Sequence, residues 1–138
     1  MDKSLAKNPH RPYYQLSNFV TACSMPSAVT VLKRAQEDAD KDFKLRTRKE
    51  ILDFIVGGGL EDLVFVNAKP WENNPRPEQV IIVDAYEFRA LFQLGYIAFF
   101  KATTDRWMIK SFHRSDNANP AMALALRKAG LLPGGSDV

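Results

Sequence analysis

Cysteine is nearly absent. Cys23 is the only one in 138 residues, so no intrachain disulfide framework or cysteine-rich metal cluster can form. Histidine is almost as scarce, with His10 and His113 alone. No HExxH or paired-histidine spacing exists, so no zinc site is expected. No run reaches the unbroken apolar length of a membrane span. The polar start MDKSLAKNPHRP lacks the apolar centre of a secretory signal. Glycine forms one triplet, Gly57-Gly58-Gly59. That triplet lacks the Gly-Lys-Ser/Thr ending of a phosphate loop and follows a helical pattern, so it reads as a helix stop. The expectation is a cytoplasmic protein with no cofactor, no bound metal and no membrane contact.

What is present is one domain's worth of chain, 46% hydrophobic, enough for a core of its own. The net charge of +3 is unevenly placed. Residues 1–60 hold ten Lys/Arg against seven Asp/Glu, residues 61–93 three against six, and residues 94–138 six against three. This distribution permits contact with nucleic acid or an acidic protein without demanding either.

The stretch from Leu94 to His113 organises the rest. Two arms dense in aromatic and β-branched residues flank the polar group Ala102-Thr103-Thr104-Asp105, which predicts a β-hairpin with Asp105 as a turn residue. Strict alternation sets Trp107, Ile109, Ser111 and His113 on one face of the second arm. Arg106, Met108, Lys110 and Phe112 fall on the other. Upstream, Leu63–Val66 and Val80–Val83 read as strands, with 67–79 an ordered loop that Trp71 can anchor. Residues 84–94 carry a capping-box pattern at Asp84 and Glu87 but alternate their aromatics, which favours a strand.

Helical signals precede the sheet. Tyr13, Leu16, Phe19 and Val20 have helical spacing. Ser24 is a candidate N-cap for a helix through MPSAVTVLKRAQEDAD, striped by Ala28, Val31, Leu32 and Ala35. Thr47 and Glu50 form a capping box before Ile51, Leu52, Ile55 and Val56, and this helix is expected to receive Trp107 and Ile109. A short C-terminal helix is predicted after Pro120, with a loose arm over 1–12 and a frayed tail over 133–138. The fold class expected is α+β: N-terminal helices on a small, mainly antiparallel sheet within a single compact domain.

Chemistry gathers at the exit of the hairpin. Metal-independent cleavage of RNA needs activation of the ribose 2′-hydroxyl, stabilisation of phosphate charge and protonation of the departing oxygen. Histidine is the side chain suited to exchanging a proton under physiological conditions and lysine supplies charge, which makes His113 and Lys110 the candidate catalytic residues. Arg106 and Arg114 offset phosphate charge, Ser111 orients substrate, and Tyr96 or Trp107 stacks on a base. Cys23 has no local signature of a nucleophile and reads as a partly buried, unreactive thiol.

The aromatic meander ending GYIAFFKATTDRWMIKSFHRSD, with the preceding VIIVDAYEFRALFQL, resembles the broad superfamily of barnase-, colicin- and RelE-like ribonucleases. The resemblance covers about 50 residues and is one of fold pattern. It implies helices against an antiparallel sheet and RNA cleavage without a metal. It also implies a toxin-like role, with a cognate immunity or antitoxin protein as partner, and delivery as part of a toxin system as an alternative to a cytoplasmic location. The competing reading is a noncatalytic protein-interaction domain using the aromatic sheet and the 67–79 loop. Nothing in the sequence bears on oligomeric state.

Overall fold

A computed structural model describes residues 10–115. The predicted helix after Pro120 and the predicted tail lie outside the described residues, as do residues 1–9 of the predicted arm. In chain order the elements are α1 (Leu16–Cys23), a 3-10 turn (Pro26–Ala28), β1 (Val29–Val31), α2 (Lys33–Phe43), α3 (Arg48–Val56), β2 (Glu61–Pro70), β3 (Ile82–Ala90), β4 (Gln93–Lys101) and β5 (Trp107–Arg114). The strands form one five-stranded sheet in the order β1-β5-β4-β3-β2. Only β1 runs parallel to its neighbour; the other pairings are antiparallel. This is an α+β fold with a mostly antiparallel sheet, as expected.

The β3–β4–β5 meander forms because its aromatic and branched side chains suit a pleated, half-buried surface. One face carries Tyr86, Phe88, Ile97, Phe99, Trp107, Ile109 and Phe112 into a core shared with Phe19, Ala35, Ala39, Phe43, Ile51 and Leu52 of the helices. Phe19 and Phe99 stack with ring centroids 3.8 Å apart. The β4–β5 connection follows its sequence signals. Asp105 adopts a left-handed φ of 66°, its N–H donates to the Ala102 carbonyl at 2.9 Å, and the Ala102 N–H donates to the Arg106 carbonyl at 2.8 Å.

Four expectations are corrected. The helix anticipated through residues 25–40 is broken, because Val29-Thr30-Val31 leaves it to form an edge strand beside β5. Val29 is fully buried there, and the Leu32 N–H reaches the Ile109 carbonyl at 3.0 Å. The gain is non-local, and it outweighs local helical spacing. Second, β2 runs on through Asn67–Pro70, pairing with Ala85–Ile82, so the loop begins at Trp71. Pro70 is tolerated because β2 is an edge strand. Third, the strand expected over 84–94 ends at Ala90, and the β3–β4 hairpin turns at Leu91-Phe92, where φ is 52° and 64°, although neither residue is a usual left-handed turn former.

The fourth correction concerns β5. Phe99 pairs with Ile109 and Ala98 with Ser111, so Lys110 is an extra, bulged residue. A bulge resets the side-chain alternation. Phe112 therefore enters the core beside Ile109, while His113 turns to the opposite face as the register partner of Tyr96.

Two further details set the frame. Thr47 Oγ1 accepts from the Glu50 N–H at 3.1 Å, while Glu50 Oε1 accepts from the Arg46 N–H at 2.6 Å, one residue before the usual capping-box target. The triplet acts as the expected stop: Gly57 caps α3 and Gly58 takes φ 83°. Asp84, far from capping a helix, is fully buried in β3 and grips the chain before α1. Its carboxylate oxygens accept the Tyr13 and Tyr14 N–H groups at 3.0 and 2.8 Å.

Candidate functional site

The face of the sheet away from the helices is hollow at its centre. Ala85 and Ala98 are register partners on β3 and β4, and their small side chains leave a floor between larger neighbours. Trp71, at the end of β2, leans onto Phe100 with ring centroids 4.5 Å apart and is held by its N–H on the Ile81 carbonyl at 2.8 Å. Tyr96 forms a wall, and Lys69, Lys110, Asn67, Glu72 and Asn73 supply polar groups around a groove of about 190 Å³. The groove thus combines two aromatic rings with two ammonium groups. Lys110 lines it beside the Ala98–Ser111 pairing, where the bulge lies.

His113 stands beside this groove. Its ring stacks on Tyr96, with centroids 5.1 Å apart and planes 20° from parallel. Its Nδ1 lies 2.8 Å from the Arg114 carbonyl oxygen. A carbonyl only accepts, so Nδ1 carries the proton and donates it. Nε2 is then left with a lone pair in the neutral ring. Burial pushes the Tyr96 phenol above its ordinary pKa, with the nearby Glu87 adding to the shift, so Tyr96 stays protonated and neutral beneath the imidazole.

A second concavity, of about 290 Å³, opens on the other side of His113 and is lined by Arg34, Asp38, Lys41, Asp42, His113 and Arg114. Positions 34, 38 and 41 lie on one face of α2 by helical spacing, which aims them at the exit of β5. Arg34 pairs with Asp38 at 3.4 Å, and the Arg114 N–H donates to Asp42 Oδ2 at 2.8 Å. Three permanent cations face two carboxylates, so the cleft is mildly positive. Tyr96 lines the groove and His113 the cleft; the stacked pair is where the two meet.

No family model matches the chain, and no curated protein or solved structure matches it.

The sequence-predicted site residues therefore divide. Lys110 and Tyr96 line the groove, His113 and Arg114 line the cleft, and Ser111 is the register partner of Ala98. Arg106 and Trp107 sit at the other end of β5. The Arg106 guanidinium donates to Thr30 Oγ1 and the Ser27 carbonyl, tying β1 to the sheet. Trp107 is 6% exposed, with Tyr14 and Phe19 at 5.3 and 5.6 Å, and so offers no open face to a base. Its partner is α1 where α3 was expected. Cys23 is buried, and burial pushes its thiol up to about 12, which removes it as a nucleophile at neutral pH. Among the described residues no group of three or more His, Cys, Asp or Glu is placed to hold a metal ion. Trp71, Lys69, Arg34 and Lys41 were not anticipated at the site. The spacing of Arg34, Asp38 and Lys41 on one helical face was the available signal for the cleft.

Proposed function

We propose that this chain is an RNA-cleaving, toxin-like domain that holds single-stranded RNA across the open face of its sheet and cuts it by metal-independent acid–base chemistry at His113. The observation that carries the reading is the 2.8 Å contact of His113 Nδ1 with the Arg114 carbonyl, which assigns the proton of the neutral ring to Nδ1 and leaves Nε2 as the acceptor of a residue that lines a cationic cleft. In the proposed step Nε2 takes the proton of a ribose 2′-hydroxyl, and that oxygen attacks the adjacent phosphorus. The P–O5′ bond breaks, giving a 2′,3′-cyclic phosphate. The imidazolium returns its proton, through water, to the departing 5′-oxygen. Lys110 and Arg114 offset the charge that builds on the phosphate, and Trp71 and Tyr96 provide aromatic surface for bases.

The test is cleavage of labelled RNA in EDTA by purified protein. A general acid or base contributes about 10²- to 10⁴-fold to rate, so His113→Ala removes turnover by about that factor while the unfolding transition stays in place. Lys110→Ala has a smaller effect, divided between binding and rate. Equal cleavage by native protein and both variants overturns the assignment. As a toxin-like nuclease the domain would require a cognate antitoxin or immunity protein in its own cell.

A second reading, a noncatalytic protein-interaction domain, draws on β2. Its outer edge has no strand neighbour among the described residues, and an open edge is a ready template for strand addition. Protection of the β2 amides from hydrogen exchange on adding a partner, with no RNA cleavage, would favour it.

A further inference from the structure

The tip of the β3–β4 hairpin is unlike the rest of the surface. Phe92 is 99% exposed and Leu91 58%, and both hold left-handed backbone, at φ 52° for Leu91 and 64° for Phe92. A two-residue turn of this kind is ordinarily built from Asn-Gly or Asp-Gly, which adopt it at little cost. L-residues with larger side chains resist it. The tip therefore gives up conformational energy and exposes a phenyl ring, with no compensating burial of Phe92 among the described residues. The turn has only two residues, and the strands that flank it are paired up to Ala90–Gln93.

The position of this ring says what it faces. The next residue, Gln93, donates from Nε2 to the Asp42 carbonyl at 3.1 Å, and Asp42 is part of the Arg34–Lys41–Arg114 cleft. Tyr96, with His113 stacked on it, lies four residues along β4, roughly 13 Å at the usual rise. An exposed aromatic residue thus immediately precedes one that is bonded to the wall of a cationic cleft, with the Tyr96–His113 pair further along the same strand. A polyanion with flat π faces matches this arrangement: aromatic platforms stack bases regardless of sequence, and neighbouring cations follow the backbone.

We infer that Phe92 is a base-stacking platform for single-stranded RNA, placing the strand so that its phosphates enter the cleft of Arg34, Lys41 and Arg114 next to His113. This rests on the RNA reading above and names a binding element that reading does not contain. Phe92 binds and positions; it has no part in proton transfer.

The experiment measures binding of a fluorescein-labelled, 2′-O-methyl oligouridylate, which cannot be cleaved, by fluorescence anisotropy. Loss of one base–aromatic stack weakens binding by roughly 5- to 150-fold, so Phe92→Ala should fall in that range. The double variant Leu91→Asn/Phe92→Gly should lose the same affinity while its unfolding midpoint rises, because its turn sequence suits the backbone. That combination separates a binding role from a structural one. Arg34→Gln/Lys41→Gln should weaken binding and flatten its salt dependence. Unchanged affinity in Phe92→Ala, with weakening in the Arg34/Lys41 variant, overturns the inference and leaves the RNA reading standing. Absence of binding by native protein overturns both. Concentration-dependent self-association that disappears in Phe92→Ala, with RNA affinity unchanged, would instead make the tip a contact between copies of the chain and also overturns the inference.

Discussion

Trp107→Ala is the sharpest test of the packing described above. The indole lies between Tyr14, Phe19 and Phe99, with centroid separations of 5.3, 5.6 and 6.0 Å. The Lys101 ammonium rests 5.4 Å from its ring, and only 6% of the residue is exposed. Truncation removes the transfer energy of the ring and leaves a cavity whose walls include Phe19 and Phe99, which are stacked and poorly placed to collapse into it. Trp→Ala losses at such sites are about 3–5 kcal/mol, a large part of the roughly 5–15 kcal/mol that stabilises a domain. Equilibrium urea unfolding followed by circular dichroism measures this without relying on tryptophan fluorescence. The m value should stay constant while the midpoint falls. If the alanine variant is too unstable to fold, Trp107→Phe gives a smaller loss of the same sign. A shift below about 0.5 kcal/mol for Trp107→Ala, the range of ordinary surface substitutions, would refute the buried placement and return the ring to the surface.

Two further outcomes follow from the same geometry. A Cβ on Gly95 would overlap the ring of the fully buried Phe88, so Gly95→Ala should displace that ring and cost about 1–3 kcal/mol, read as a fall in the unfolding midpoint; an unchanged midpoint would mean that Phe88 has room to move. Burial raises the Asp84 carboxyl above its ordinary range, and the Tyr14 and Tyr13 N–H groups offset part of that shift. Relative to the unfolded value near 3.9, the native state then holds the Asp84 proton to higher pH. Its contribution is fully present below about pH 3.9 and is lost as pH rises through the folded value. Stability measured against pH should therefore show a downward component across that window which Asp84→Asn lacks; parallel curves for the two proteins would contradict the assignment.

The hairpin was legible because its determinants are local: aromatic and branched residues on both arms, and Asp105 where a left-handed residue was needed. The Thr47 cap was legible for the same reason. β1 was not, because three residues of strand gain nothing until β5 lies alongside them, and their spacing fits a helix equally well. The bulge at Lys110 was hidden for a related cause. It is a property of the pairing between β4 and β5, and strict alternation counted along β5 alone puts His113 on the face of Trp107. Correcting it brings His113 to the side of the sheet that carries Tyr96 and Lys110. The cleft was half visible. His113 and Arg114 stood out at a strand exit, whereas Arg34 and Lys41 come from a helix more than seventy residues earlier in the chain, and only the docking of α2 on β5 unites them. The Leu91-Phe92 turn lacks the Asn or Gly that normally marks such a position, so nothing in its composition announced it.

The proposed cleavage turns on the lone pair of His113 Nε2 drawing a proton from a ribose 2′-hydroxyl. The most direct measurement compares cleavage, in EDTA, of an all-ribose oligonucleotide with that of the same sequence carrying a single 2′-deoxy sugar at the cleaved position. Proton abstraction from the 2′-hydroxyl should give 2′,3′-cyclic phosphate and 5′-hydroxyl ends from the first and an intact bond at that position in the second. Cleavage of both substrates at the same rate would contradict it.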